Sequence, residues 1–119
     1  MKTAITSKSP DLDSEVDPRF GRAAYILIID TDTLQFEVID NARNVNSFKG
    51  AGIQAAASIS EKNAEVLLTG FCGPNAFKTL EAANIKVVSD VSGIVRDAVK
   101  EFNEGKFSFS EAANVDGHW

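Results

Sequence analysis

Five basic side chains fall in or beside the polar loops of this 119-residue chain, namely Lys8, Arg19, Arg22, Arg43 and Lys49. The chain as a whole is acidic, with a net charge of −5. This makes nucleic acids and anionic membranes poor partners, because both require many positive contacts. A small anion is a reasonable ligand if the cations gather at one place. The alternative is that they are solvated loop charges, and Asp11, Asp13 and Asp17 in the first loop weaken the contrast.

The chain has one cysteine and one histidine that could act as ligands for soft metals. Cys72 lies in a turn beside a predicted helix start, a position that is expected to lower the pKa of a thiol and favour thiolate. Cys72 is therefore a candidate metal ligand, and the alternative is a small buried residue that fills the turn. His118 is predicted to be a loose tail residue. A single cysteine cannot form an internal disulfide, which favours a cytoplasmic location.

Hydrophobic periodicity predicts the elements that must position these residues. Apolar or alternating runs predict strands at residues 2–6, 23–29, 34–39, 65–69 and 86–88. A first helix is predicted over 50–62, with Ile53, Ala56 and Ala57 on one side. Pro74 suits the first position of a second helix. The apolar stripe from Val91 to Phe102 predicts a third helix. A long polar loop over 7–22 separates the first two strands, a tight turn over 30–33 joins the second to the third, and a second polar loop over 41–49 leads to the first helix.

The predicted order of elements indicates a single α/β domain. Its mixed five-stranded sheet would combine three parallel strands with an antiparallel hairpin, and three helices would flank it. In that arrangement four loops meet at one end of the sheet, over residues 7–22, 41–50, 70–75 and 89–93. Two helix N-termini, near Gly50 and Gly73, point to the same end. Open α/β sheets bind ligands there, and helix N-termini favour anions.

Four segments, in order, resemble the nitrogenase iron–molybdenum-cofactor biosynthesis family. They are DPRFGRAAYILIID, GAGIQAA, LLTGFCGPNAFKTLEAANIKVV and SGIVRDAVKEFNEGKF, and the resemblance runs from residue 1 to about residue 107. It implies a ribonuclease H-like motif. It also implies a cluster-binding domain over 1–107, with a C-terminal tail over 108–119. Members of the family bind, carry or protect the iron–molybdenum cofactor or its precursors. A small stand-alone relative holds a molybdenum–copper–sulfide cluster, and this chain looks like such a member.

The resemblance also implies roles for individual residues. Arg19 and Arg22 would pair with cluster charge, Phe20 would cover the cluster, and Asn75 would cap its turn or donate to a sulfide. The further expected contacts are the cations and the glycines that permit close approach, namely Arg43, Lys49, Gly21, Gly50, Gly52 and Gly73. Many relatives carry a histidine near the position of Lys49. The lysine here favours electrostatic capture over ligation by imidazole.

The expected function is therefore non-covalent binding of a molybdenum–copper–sulfide cluster, or of the iron–molybdenum cofactor or a precursor, and not catalysis. One alternative is a ligand-free protein-interaction module in a metal-cluster or cell-division-related complex. Another is a ribonuclease H-like hydrolase. Two-metal hydrolysis needs several converging carboxylates, and the first strand, KTAIT, has none. We expect a cytoplasmic monomer without nucleic-acid or membrane partners.

Overall fold

A five-stranded sheet forms the centre of the computed structural model, which describes residues 1–41 and 50–113. The strands are β1 (Lys2–Ser7), β2 (Tyr25–Asp30), β3 (Phe36–Asp40), β4 (Val66–Leu68) and β5 (Lys86–Val88). Their spatial order is β3-β2-β1-β4-β5. β1 pairs in parallel with β4, as does β4 with β5, whereas β2 is antiparallel to both β1 and β3. The mixed five-stranded α/β sheet is therefore confirmed, while the ribonuclease H-like motif stays a prediction.

Three helices flank this sheet in the described part of the chain, namely α1 (Ala51–Glu61), α2 (Pro74–Ala82) and α3 (Val95–Asn103). Each helix stops just before a residue with positive φ, and these residues are Asn63, Asn84 and Gly105. Asparagine and glycine tolerate this left-handed conformation, which ends a helix. None of the described helices has both the length and the apolar character needed to cross a bilayer.

Each face of the sheet carries its own hydrophobic core. On one face, Ile26, Ile28 and Leu67 pack against the buried sides of α1 and α2. On the other face, Ile5, Leu27 and Leu68 pack against α3 and the first loop. Successive side chains of a strand point to opposite faces, so the apolar run of β2 contributes to both cores.

Two predictions about the helices need correction. Val91 does not start α3, which begins at Val95, because Gly93 has φ +90° and the preceding backbone bonds to other loops. The N–H of Val91 donates to the Thr69 carbonyl at 3.0 Å, and Val91 is nevertheless buried. Ile53 is 42% exposed and does not lie on the buried side of α1. That side consists mainly of small residues, which allow α1 to approach α2 closely.

The segment after α3 lies beside the outer strand β5. The N–H of Ser110 donates to the Val87 carbonyl at 2.7 Å, and the Ser110 and Ser89 hydroxyls are 2.7 Å apart. Ala113 packs against the core on the α1–α2 side. This side of β5 is therefore occupied by the chain itself. The division into a domain over 1–107 and a tail over 108–119 stays a prediction.

The strand register brings the predicted loops to one end of the sheet. Ser7 at the end of β1 lies opposite Tyr25, which lies opposite Asp40 at the end of β3. β4 and β5 end beside β1, with Leu68 next to both Ile5 and Val88. We call this end, where β1, β3, β4 and β5 all finish, the carboxyl end of the sheet.

Candidate functional site

The first loop is bonded to the turn that leads into α2. The N–H of Phe71 donates to the Pro18 carbonyl at 2.6 Å, and the N–H of Phe20 donates to the Phe71 carbonyl at 3.1 Å. Gly70 permits this approach, because a Cβ there would come within 2.7 Å of the Pro18 backbone. The loop that carries Arg19 is therefore fixed next to the start of α2.

Gly21 and Gly52 bring the same loop against the first turn of α1. A Cβ on Gly21 would lie 2.8 Å from both the N and the Cα of Gly52, and Gly21 also has φ +90°. A Cβ on Gly52 would lie 2.8 Å from the Cβ of Ala76, in the first turn of α2. Three segments far apart in the sequence thus meet with their backbones almost in contact, as the predicted site requires.

Among residues 1–41 and 50–113, no side chain caps either of the two helix N-termini at this place. The N-caps are Gly50 for α1 and Gly73 for α2, and neither helix has a side-chain cap or an acidic residue in its first turn. The first N–H groups of a helix have no partner within the helix, and the aligned peptide dipoles add partial positive charge. The arrangement favours an anion.

Asp17 anchors the first loop from below, a role that the sequence did not reveal. Its carboxylate is buried and accepts hydrogen bonds from the N–H groups of Arg19 (3.2 Å) and Ala24 (3.3 Å). Its carbonyl accepts from the Thr6 hydroxyl at 2.6 Å, and that hydroxyl is 2.9 Å from the Thr69 hydroxyl. Asp17 is therefore a structural residue of the loop, besides being an acid that offsets its cations as expected.

Asn41 is a second anchor that was missed. Its side chain is fully buried, and its amide nitrogen donates to the carbonyls of Gly21 (3.1 Å) and Ala23 (2.8 Å). Arg22 lies between these two carbonyls, so its backbone is held from both sides. In a sequence, an asparagine directly after a strand has no feature that distinguishes it from an ordinary loop residue. Only the pairing of β2 with β3 brings Asn41 under the first loop.

Three of the five predicted cations lie within the described residues. Arg19 is exposed beside the start of α2, and its Nε lies 4.0 Å from the Asp17 carboxylate. Arg22 is half-buried beside Gly21 and has an interaction partner. Lys8 is exposed farther along the loop and pairs with Glu15 at 3.3 Å. Arg43, Lys49 and His118 lie outside the described residues.

Phe20 and Asn75 differ from their expected roles. Phe20 is 1% exposed and belongs to the core on the α1–α2 side, so it supports the loop from beneath and cannot cover a ligand. Asn75 does not cap α2, because the N-cap is Gly73 and no side-chain cap bond is formed. Its side chain is exposed in the first turn of α2, and its bond to a ligand stays a prediction. Ile53, exposed in the first turn of α1, is an apolar residue at the same place.

Cys72 is buried in the turn between β4 and α2. The prediction of a lowered thiol pKa is wrong, because burial raises the pKa of Cys72 to about 12. The cost of removing a thiolate from water outweighs the nearby helix N-terminus. The thiol is therefore protonated at neutral pH, which is how a small core residue behaves. Its role as a metal ligand stays a prediction.

Within residues 1–41 and 50–113, no three or more histidine, cysteine, aspartate or glutamate side chains cluster so that they could hold a metal ion. The donors at the carboxyl end of the sheet are instead backbone N–H groups and arginine side chains. Such donors suit a ligand that brings its own negative charge, for example a cluster whose sulfides already complete the coordination of its metals.

Comparison with known proteins agrees with this chemistry. The family model described as "Dinitrogenase iron-molybdenum cofactor" matches residues 1–105. The apo form of the orange protein from Desulfovibrio gigas is 43% identical, with 96% of each chain covered and a TM-score of 0.93. A putative NifB protein from Thermotoga is 35% identical, with 98% of each chain covered and a TM-score of 0.82.

A putative dinitrogenase from Methanocaldococcus jannaschii shares the fold, with 22% identity, a TM-score of 0.69, and 94% of this chain and 96% of that chain covered. No curated protein matches. The family match spans all eight helices and strands described above and includes the loop, the two helix starts and the turn that meet at the carboxyl end of the sheet. The chain therefore belongs to the dinitrogenase iron–molybdenum cofactor family.

Proposed function

We propose that this protein binds a preformed anionic metal–sulfide cluster without covalent bonds, for storage, delivery or assembly. The observation that carries the proposal is the contact between Gly52 and Ala76, which brings together two helix N-termini that no described side chain caps. Arg19 and Arg22 flank this place on a loop held by Asp17 and Asn41. Family membership favours a binding role over a catalytic one.

We propose a molybdenum–copper–sulfide cluster as the ligand, with the iron–molybdenum cofactor or a precursor as the alternative. The similarity to the orange protein supports a cluster-binding role, and the family resemblance supplies the identity of the metals. Gly21, Gly50, Gly52 and Gly73 would let the backbone approach the sulfides, and Asn75 would donate to one of them. Ile53, rather than Phe20, would provide apolar cover. Arg43 and Lys49 are proposed as further cations.

Reconstitution tests this proposal. Tetrathiomolybdate and copper, added to the purified protein, should give a coloured complex of fixed stoichiometry that survives desalting. The double variant Arg19→Ala/Arg22→Ala should retain clearly less metal, because guanidinium groups near the site attract an anion even through solvent. The matched control is Lys86→Ala/Lys100→Ala, which removes the same charge away from the carboxyl end of the sheet. Colour that washes away from the wild type would exclude this metal pair.

A hydrolase of the ribonuclease H type is the least supported alternative. It needs several carboxylates on neighbouring strands, and Asp30 lies at the opposite end of the sheet from Asp40. Magnesium- or manganese-dependent cleavage of a nucleic acid that disappears in Asp40→Asn would revive it.

A ligand-free interaction module would bind its partner equally well as wild type and as the Arg19→Ala/Arg22→Ala variant, with no metal in either. Whether the protein binds a cluster or acts as an interaction module, we propose that it is a cytoplasmic monomer, in keeping with the single buried cysteine.

A further inference from the structure

The two outer strands of the sheet differ in what lies beside them. The N–H of Ser110 is bonded to β5, so the chain itself occupies that side. β3 is the outer strand at the other side. Natural sheets protect such a strand with charged side chains, above all lysine, with proline, with a bulge or with a covering segment. The five residues of β3, FEVID, include two acids but neither lysine nor proline, so any protection by charge is negative.

The outward backbone groups of β3 can be assigned from its pairing with β2. The N–H of Asp30 donates to the Gln35 carbonyl at 2.8 Å, and the N–H of Asn41 donates to the Ala24 carbonyl at 3.1 Å. In an antiparallel pair the bonded residues alternate, so those between Gln35 and Asn41 are Glu37 and Ile39. The N–H and C=O groups of Phe36 and Val38 therefore point away from β2, and no described residue bonds to them.

The side chains of the same two residues are unusually exposed for apolar groups. Phe36 is 40% exposed and Val38 is 42% exposed, and they lie on the same face of the strand. Apolar side chains thus coincide on β3 with backbone groups that no residue of 1–41 or 50–113 bonds. These are the two features by which an added strand is recognised.

The charge around β3 indicates which kind of strand would bind. Residues 30–41 contain Asp30, Asp32, Glu37 and Asp40, and neither lysine nor arginine. Lys2 lies opposite Asp30 in the strand pair, and Asp40 has an interaction partner of its own. Glu37 pairs with Lys62 at 3.1 Å, and Asp32 pairs with the N-terminal amine at 3.7 Å. Both are surface pairs, which contribute little and exchange readily.

A depression of ≈ 270 Å³ beside the start of β3 is lined by Asp30, Glu37 and Phe36, with Lys2, Ile28 and Gln35. It has room for the stem of a long basic side chain, whose head would compete with Lys2 and Lys62 for the carboxylates of Asp30 and Glu37. We propose that β3 is the docking site for an extended, basic segment of another protein, which adds to the sheet as a sixth strand. Its apolar side chains would contact Phe36 and Val38, and its cations would face the acids of residues 30–41. Two copies of this chain are a poorer match, because both would present acidic strands.

The test uses the full chain without metal and a synthetic peptide of about eight residues, an ordinary strand length, that alternates valine with lysine. We expect one-to-one binding by calorimetry and slowed hydrogen exchange at the amides of Phe36 and Val38. Glu37 and Ile39 are internal references, because their amides are already bonded to β2. A peptide with glutamate in place of lysine should bind more weakly by at least roughly tenfold.

Two controls separate strand addition from attraction by charge alone. A fully N-methylated valine–lysine peptide keeps its side chains but cannot donate backbone hydrogen bonds, so it should not bind. Val38→Pro removes an outward N–H that β2 does not use, which outer strands tolerate, and it should abolish binding. Phe109→Ala, which removes a 52% exposed aromatic elsewhere, should bind normally.

Absence of binding by the valine–lysine peptide would overturn the proposal, as would equal binding of the N-methylated peptide. If raising the protein concentration alone protects the amides of Phe36 and Val38, a second copy is the partner and the proposal is wrong. None of these outcomes depends on whether a cluster binds at the carboxyl end of the sheet.

Discussion

Gly21 lies so close to Gly52 that a Cβ on Gly21 would come within 2.8 Å of the backbone of its neighbour. This one contact joins the loop that carries Arg19 and Arg22 to the N-terminus of α1. The distance leaves no room for any side chain at position 21. The geometry of the candidate site therefore requires glycine, which has no Cβ atom, at position 21, in addition to the donors that surround the site.

Gly21→Ala should destabilise the protein more than Gly93→Ala. Both glycines have φ +90°, so alanine meets similar backbone strain at each, of order 1–2 kcal/mol. Only Gly21 adds a clash with backbone atoms, whereas a Cβ on Gly93 has nothing within 4 Å. We expect the clash to contribute about 1–3 kcal/mol more, measured as the free energy of unfolding in urea. Equal losses for the two variants would show that the contact with Gly52 is looser than described.

Asn41→Ala should be costly because it removes the side-chain donor of two carbonyl groups that belong to buried residues. The carbonyls of Gly21 and Ala23 then lose their bonds from the Asn41 amide. Each buried unsatisfied group costs on the order of 1–3 kcal/mol. Asn103→Ala is the matched control, since the amide of Asn103 donates to the Thr31 carbonyl at 2.9 Å from an exposed position. Urea unfolding of both variants checks this, and a similar small loss for each would contradict it.

Alkaline pH should weaken the wild type through Cys72. Its folded-state pKa is about 12, above the usual value of 9.0, so the folded protein keeps a proton that the unfolded chain releases. The contribution is complete below about pH 9 and is lost as pH rises toward 12, by at most about 1.4 kcal/mol per pH unit. Cys72→Ala lacks this dependence, so the difference in unfolding free energy between the two proteins should shrink as pH rises. A constant difference over that range would mean that the thiol ionises normally.

Cys72→Ala should also leave cluster retention unchanged. The thiol is buried and protonated, so capture at the carboxyl end of the sheet does not require a sulfur–metal bond. Retention should instead fall as salt rises, because ions screen exposed charges over about 10 Å at 0.1 M and about 3 Å at 1 M. Metal content after desalting at several ionic strengths measures both effects. Loss of metal in Cys72→Ala, with little effect of salt, would assign the metal to the thiol.

Much of the fold could be read from the sequence because burial leaves a periodic pattern. The apolar run of β2, from Ile26 to Ile29, contributes to both cores and reads unambiguously as a buried strand. The start of α3 was misplaced because Val91 continues the apolar spacing of the helix. Its burial comes from the loop contacts around Thr69, which no local pattern records.

The candidate site was predictable in outline but not in its supports. Parallel strands end together, so the convergence of Gly21, Gly52 and Gly73 followed from the order of the elements. Asp17 and Asn41 were missed because their partners are backbone groups that the fold brings to them. A buried carboxylate and a surface carboxylate look identical in a sequence until the chain around them is placed.

The bond from Ser110 to Val87 has a consequence for how such molecules can associate. With β5 already occupied, β3 is the remaining outer strand among those described. A filament of molecules whose sheets join edge to edge needs two free outer strands on every molecule, as in cross-β fibres. The part of the chain that the structure describes offers one. A strand added to β3 would leave no described outer strand for a further molecule, which favours a discrete complex over a filament.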